Sequence, residues 1–240
     1  MDRIELFGVG IDCLTGAEAV ERAMEKRGTP CTVVTPNALM LERCRREGRL
    51  TEMLGRATLS LADGSGVLWA AKRKGTPLPA RVSGIDFGEA ILARAAAEGL
   101  RVFLLGGKSG VAERAGGRLR ERYPSLCICG SYWGYWDRAG EENEMLLEYI
   151  RSCGTDILLV CLGFPLQEEW MFESLDRLSS VRIIAGLGGS LDVWSGRLRR
   201  APGLMRSLGM EWAWRMLREP RRLASLPLLV CFATHRQRTY

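Results

Sequence analysis

This chain of 240 residues has a single histidine, His235, set near its end among polar and basic residues. Mechanisms that need a buried histidine base, a hydrolase triad among them, lose their main requirement. Its eight cysteines include no C-x-x-C pair. Cys13, Cys31, Cys127, Cys129 and Cys161 fall inside apolar, strand-like runs, so reduced core thiols are expected, with neither disulfides nor a zinc site. The sequence also lacks Asp-x-Asp and any cluster of His and carboxylates at ligand spacing. No metal and no cofactor are expected, and a diphosphate on a substrate has to be met by arginines and helix ends. No long hydrophobic run is present: the apolar stretch 226–233 is far shorter than the ~20 residues a spanning helix needs. The opening MDRIELFGVGID has charges at positions 2, 3 and 5 and no apolar run with a cleavage site. That reads as no signal peptide and a cytosolic protein.

What is present begins with an uneven distribution of charge. Residues 193–240 carry ten arginines against Glu211 and Glu219, a balance of +8, whereas the whole chain is +6, which leaves −2 for residues 1–192. An anionic partner at the C-terminal end follows: nucleic acid, a membrane surface or a phosphorylated substrate. The aromatic content argues against nucleic acid. On one continuous helix Leu204, Leu208, Trp212 and Met216 share a side, flanked by Met205 and Leu217, with Arg206, Arg215, Arg218, Arg221 and Arg222 elsewhere. That pattern suits a helix lying in a membrane interface, or equally one packed on its own domain with a solvated basic face.

With 47% hydrophobic residues the chain fills the core of one α/β domain plus an appendage. Short apolar runs at 5–11, 31–37, 58–63, 101–107, 126–134, 156–163 and 181–189 predict strands. Helices are predicted over 15–27 with Thr15 as N-cap, and over 38–56, 65–74, 86–98, 109–122, 141–153 and 165–178. Such alternation predicts an α/β fold, a mostly parallel sheet with helices on both faces, plus a C-terminal helical appendage. The division expected is a catalytic domain over 1–195 and a basic, amphipathic, membrane-associating appendage over 196–240.

Ligands of such sheets bind beyond the carboxyl ends of the strands, and polar and glycine residues gather there: 35–37, 62–64, 106–108, 163–165 and 188–190. Asp63 ends an apolar strand before Gly64-Ser65-Gly66; it reads either as a fixed general base or as the N-cap of the next helix. The glycines of 104–110 offer a phosphate contact or merely a tight turn, and match neither the G-x-G-x-x-G nor the P-loop spacing. Gln167, after Phe164-Pro165, reads as a sugar-hydroxyl contact or as a solvent-facing helix start. Arg81, by itself, reads as a solvated loop arginine.

In order, TPNALM (35–40), ADGSGVLWA (62–70), PLPARVSGID (77–86), LLGG (104–107), LGFPLQEEW (162–170), GLGGSLDVWSGRLRRAP (186–202) and GMEWAWRMLREPRR (209–222) resemble the WecG/TagA/CpsF family, glycosyltransferase family 26. The resemblance covers nearly the whole chain. It implies a Rossmann-like core whose C-terminal appendage docks on the cytoplasmic membrane face and helps complete the active site. It implies inverting, metal-independent transfer of N-acetylmannosamine from a UDP-sugar donor to an undecaprenyl-diphosphate-linked N-acetylglucosamine acceptor, for teichoic acid or other surface polysaccharide. By the same resemblance Asp63 is the catalytic base. Thr35, Asn37, Arg81 and Gln167 line the pocket, Asp192 lies near the nucleotide, and Arg215 and Arg222, with Arg218 and Arg221 as neighbours, approach the leaving diphosphate. Leu166 stands where members often have lysine, and Ser225 where the tail pattern has a further arginine.

The expected partners are therefore the UDP-sugar, the lipid-linked acceptor and the inner face of the cell membrane, with no nucleic acid. The exposed Trp and Met residues of the tail suggest self-association away from a membrane. Three alternatives stay open: the same reaction with an N-acetylmannosamine uronic acid or hexose donor, a nucleotide-dependent oxidoreductase, and a non-enzymatic binder of anionic surfaces.

Overall fold

The computed structural model describes residues 2–207, 210–218 and 220–234, with the side chains of residues 206, 207, 215, 218 and 220–222 outside the described part. The chain opens with β1 (Arg3–Leu6) and β2 (Val9–Asp12), an antiparallel hairpin. A single strand over 5–11 is therefore not what forms. Phe7 and Gly8 both take positive φ, 54° and 81°, the backbone of a tight hairpin turn whose twist matches its strands. Helix α1 (Gly16–Met24) follows, started by Thr15 in a full capping box with Glu18.

Next come β3 (Cys31–Val34), α2 (Ala38–Arg46), α3 (Gly48–Gly55), β4 (Leu59–Ser60), α4 (Ser65–Lys74) and α5 (Gly84–Glu98). The helix expected over 38–56 is thus two. Glu47 adopts extended backbone between them, where the following glycine is a poor helix-interior residue. The alternation continues through β5 (Arg101–Gly106), α6 (Val111–Arg122), β6 (Cys127–Tyr132), α7 (Glu141–Ser152) and β7 (Ile157–Cys161). It closes with α8 (Leu166–Glu173), β8 (Ile183–Gly186) and α9 (Ser190–Trp194). A 3-10 turn, Asp176–Leu178, takes the end of the helix expected over 165–178.

Six strands form one parallel sheet in the order β4-β3-β8-β7-β5-β6. Side chains alternate across it with the period of two that a strand imposes. Val102, Leu104, Ile157, Leu159, Ile183 and Ala185 pack under α1, α5, α6 and α9. Phe103, Leu105, Leu158, Val160 and Ile184 face α7 and α8. A third cluster joins the hairpin to α2, α3 and α4. The fold class is as expected: a Rossmann-like α/β core with helices on both faces. All eight cysteines are free, though Cys127, on the edge strand β6, is exposed and not a core thiol.

The C-terminal segment forms α10 (Gly203–Ser207), α11 (Glu211–Arg218), a 3-10 stretch Pro220–Ser225 and α12 (Leu226–Thr234). The apolar residues of 204–217 therefore do not lie on one continuous helix. Met210 N–H bonds Met205 C=O at 2.8 Å, and Met216 is buried while Leu204, Trp212 and Leu217 are exposed. Leu208 lies outside the described residues. Helix α12 is fastened by Phe232, buried with its ring 4.9 Å from Phe7 and 6.4 Å from Trp69. Among the described residues no helix is long and apolar enough to cross a membrane.

The hairpin is tied to the sheet by one buried carboxylate. Asp12 accepts both Arg3 Nε and Nη2, at 2.7 and 2.9 Å, and the Ser60 N–H of β4 at 2.7 Å. Asp12→Asn keeps the shape but removes the charge from a fully engaged acceptor, and is expected to cost about 2–4 kcal/mol in urea unfolding. A loss under about 0.5 kcal/mol, within the range of ordinary surface changes, would show that the Asp12 charge is not what holds the hairpin.

Candidate active site

Strand order decides which loops meet. Because β8 enters between β3 and β7, the residues following these three strands converge at the carboxyl edge, beside those following β4. Thr35, one residue past β3, is buried, and its hydroxyl donates to Gly186 C=O at the end of β8, at 3.1 Å. Asn37 is the N-cap of α2, its side-chain oxygen accepting the Leu39 and Met40 N–H groups at 3.0 and 3.2 Å. That cap fixes the start of α2.

Asp63 is held through its backbone, its N–H bonded to Pro36 C=O at 3.0 Å. The N-cap of α4 is Gly64, at φ 93°, so Asp63 lies outside the helix at the strand end, partly exposed. Ala62 C=O accepts Val82 N–H at 2.9 Å. Asp63 follows one member of that pair and Arg81 precedes the other, so the two come onto adjoining segments. Arg81 is not a free loop arginine: its guanidinium stands 3.8 Å from Glu211 of α11.

Glu211 is also 3.8 Å from Arg200 Nε, and Arg200 Nη2 bonds Asp86 at 2.6 Å. Asp86 in turn accepts the hydroxyl of Ser83, the N-cap of α5. Burial pushes the Asp86 carboxyl up, but the Ser83 and Arg200 hydrogen bonds outweigh it and hold the group below its ordinary range. This run of charges brings the C-terminal segment to the edge of the strand-end site. Neither Arg200 nor Glu211 stood out in the sequence, since an arginine among many and an acid opening a helix carry no signal of their own.

Gln167 is buried and does not face solvent. Its side-chain oxygen accepts the N–H of Gly188, after β8, at 3.0 Å and that of Gly163, after β7, at 3.4 Å. Its amide nitrogen donates to Glu168 at 2.7 Å. Glu168 is a residue that the sequence reading missed. It is fully buried, its second oxygen has no partner among the described residues, and burial raises its pKa to about 7 against the lowering effect of the Gln167 bond.

Asp192 lies on α9 and pairs with Arg197 at 2.8 Å. Arg215 falls one turn after Glu211 in α11 and Arg222 in the 3-10 stretch, but their side chains, and those of Arg218 and Arg221, lie outside the described residues. Leu166 begins α8 and Ser225 ends the 3-10 stretch. Among the described residues no group of three His, Cys, Asp or Glu is placed to hold a metal ion. A cavity of about 470 Å³ between α1 and α5, lined by small residues with Glu21 and Arg94, includes none of the strand-end residues.

These strand-end features belong to residues spread over the whole chain, and the family model described as Glycosyl transferase WecG/TagA/CpsF family matches residues 4–238. The chain belongs to this family. It is 31% identical over 234 residues, 96% of this chain and 90% of the relative, to the N-acetylglucosaminyldiphosphoundecaprenol N-acetyl-beta-D-mannosaminyltransferase of Staphylococcus aureus strain MW2. The protein of the same name from strain NCTC 8325 / PS 47 matches with the same identity and coverage. The enzyme is thus a glycosyltransferase, and neither the oxidoreductase nor the non-enzymatic reading stands.

Glu168 gives this glycosyltransferase a stability signature. Its folded pKa of about 7 lies above the unfolded value of 4.5, so between these values the folded state holds the extra proton. The stability this contributes is complete below 4.5 and is lost as pH rises through 7, on the order of 3 kcal/mol at about 1.4 kcal/mol per unit. Glu168→Gln is expected to flatten that decline, measured as the difference in urea unfolding free energy between pH 5 and pH 8. An unchanged difference would mean that Glu168 is ionised at little cost.

Proposed function

We propose that this glycosyltransferase moves N-acetylmannosamine from UDP-N-acetylmannosamine to N-acetylglucosamine-diphospho-undecaprenol. The reaction inverts the anomeric centre, forms a β-1,4 linkage, needs no divalent metal and feeds teichoic acid or another surface polysaccharide. The names of the relatives support the donor sugar and the acceptor. The observation that carries the mechanism is Asp63, set three residues past β4, outside the α4 cap and beside the Arg81 segment. A carboxylate so placed is suited to act as base at a strand-end cleft.

In this reading Asp63 takes the proton of the acceptor 4-hydroxyl as that oxygen attacks the anomeric carbon. The bond from that carbon to the diphosphate breaks, and UDP leaves from the opposite face with the electron pair through an oxocarbenium-like state. Thr35, Asn37, Arg81 and Gln167 shape the pocket, and Asp192 stands toward the nucleotide. Arg215 and Arg222 meet the charge growing on the β-phosphate, where fixed cations act on the transition state more than on the ground state.

The proposed division is a catalytic domain over 1–195 and an appendage over 196–240 that lies on the inner face of the cytoplasmic membrane. Exposed Leu204, Met210, Trp212, Leu217, Leu223 and Val230 support that surface role, as does the surplus of arginine in the same segment. Off the membrane the same residues favour self-association.

Asp63→Asn is expected to lower kcat by about 10²–10⁴-fold, the usual worth of a general base, while UDP-sugar affinity stays near that of the parent; near-normal turnover would remove Asp63 from the role. Transfer should survive EDTA, and a loss restored by a divalent ion would contradict the metal-free reading. Arg215→Ala and Arg222→Ala should lower kcat more than they raise the donor KM. A pure KM effect would confine both arginines to ground-state binding.

A further inference from the structure

The first turn of α8 holds a carboxyl group that the reaction above does not use. Glu168 is fully buried, bonds Gln167 Nε2 at 2.7 Å through one oxygen, and has no partner for the other among the described residues. Gln167 joins two loops that no strand pairing connects beyond the sheet edge. Its single carbonyl oxygen accepts Gly163 N–H from the loop after β7 and Gly188 N–H from the loop after β8. Both glycines have positive φ, 84° and 54°, so their N–H groups are set by backbone conformations that other residues rarely adopt.

We propose that Glu168 is a positioning residue of this enzyme: its buried carboxylate fixes the orientation of the Gln167 amide, and through it clamps the β7 and β8 end loops in the arrangement that binds the UDP-sugar donor. The clamp rests on the reading above that the donor sits at these strand ends. An ionised carboxylate only accepts hydrogen bonds. It can face the NH2 group of Gln167 but not its carbonyl, which obliges the carbonyl to point at the two glycine N–H groups. A protonated Glu168 gains an O–H donor and can satisfy either face of the amide. In the flipped orientation the NH2 group meets two backbone N–H groups, donor against donors, and the clamp opens.

The surroundings leave this to Glu168 itself. Its neighbour Glu169 opposes ionisation weakly and is engaged by Arg49 of α3 at 2.7 Å. From α2, Cys44 is a neutral thiol pushed up to about 12, chiefly by its burial, and Arg43 lies over the Phe164 ring. Strands β7 and β8 present only apolar side chains on this face, and among the described residues no cation pairs with Glu168. Burial places its titration near pH 7, so the one-sided demand that the carboxylate makes on the amide holds above that value and relaxes below it.

The chain contains only two glutamines, Gln167 and Gln237, so ¹⁵N-glutamine labelling of the full chain yields two side-chain amides. The Gln167 amide is expected to shift with a midpoint near pH 7 between pH 5.5 and 8.5 without substrate, and the shift should vanish in Glu168→Gln. An amide that stays still in the parent, or that titrates equally in the variant, overturns the proposal. If Glu168→Gln does not fold, Glu168→Asp replaces it and must displace the midpoint; an unmoved midpoint overturns the proposal equally. UDP binding by calorimetry gives the functional readout. Affinity in the parent should weaken severalfold from pH 8 to 6.5 beyond the change seen in the variant, since the protonation of UDP is common to both. A titrating amide with parallel UDP affinities would leave the clamp in place and overturn the placing of the donor at these loops.

Discussion

The strand-end architecture depends on one topological constraint: β8, the last strand in sequence, lies in the middle of the sheet between β3 and β7. Within the ladder the backbone satisfies itself. Beyond the last paired residue it does not, and buried polar groups there need other partners. Two side chains supply them. Thr35 bonds Gly186 C=O from the β3 side, and Gln167 bonds Gly188 N–H from the β7 side, while Leu187 N–H still reaches Val160 C=O at 2.8 Å. The end of β8 is thus held from both neighbours by residues far away in sequence. Thr35 and Gln167 have structural tethers to keep, so a substitution at either disturbs the end of β8 whatever part the side chain takes in the proposed pocket.

The same dependence explains what the sequence revealed. Alternating apolar runs marked every strand of the parallel sheet, because β5, β7 and β8 are buried on both faces and flanked by helix signals. The N-terminal hairpin escaped because its turn places Phe7, a bulky non-glycine residue, at positive φ, against the usual preference. The tail escaped as a single helix because an amphipathic projection assumes continuity that the chain abandons between α10 and α11. The ordered motifs singled out Thr35, Asn37, Asp63, Arg81 and Gln167 as candidates without saying what each touches.

Glu168 and Glu169 show where sequence reading ends. They are adjacent and chemically identical, yet Glu168 is fully buried and Glu169 is partly exposed beside Arg49. Periodicity cannot separate them, because α8 buries Gln167, Glu168, Trp170, Met171 and Phe172, nearly every direction around its axis. A helix enclosed on all sides has no polar face to read. Only the packing of α8 against the sheet and α3 decides which acid loses its water.

The C-terminal segment raises the question of what holds it to the core. Its charged contacts are mixed: Arg200 bonds Asp86 of α5 at 2.6 Å, whereas Glu211 lies 3.8 Å from both Arg81 and Arg200, at the limit of ion pairing, where solvent and salt leave little net energy. Its apolar and backbone contacts are closer. Phe232 is buried against Phe7 and Trp69, Met216 is buried in α11, and Trp214 donates to Arg199 C=O at 3.1 Å. Of these, Phe232 is the one that joins α12 to the core, in the cluster that the hairpin, α2, α3 and α4 share. In the proposed function the +8 balance of residues 193–240 is what an anionic partner answers, and Glu211, 3.8 Å from both Arg81 and Arg200, links that segment to the strand ends.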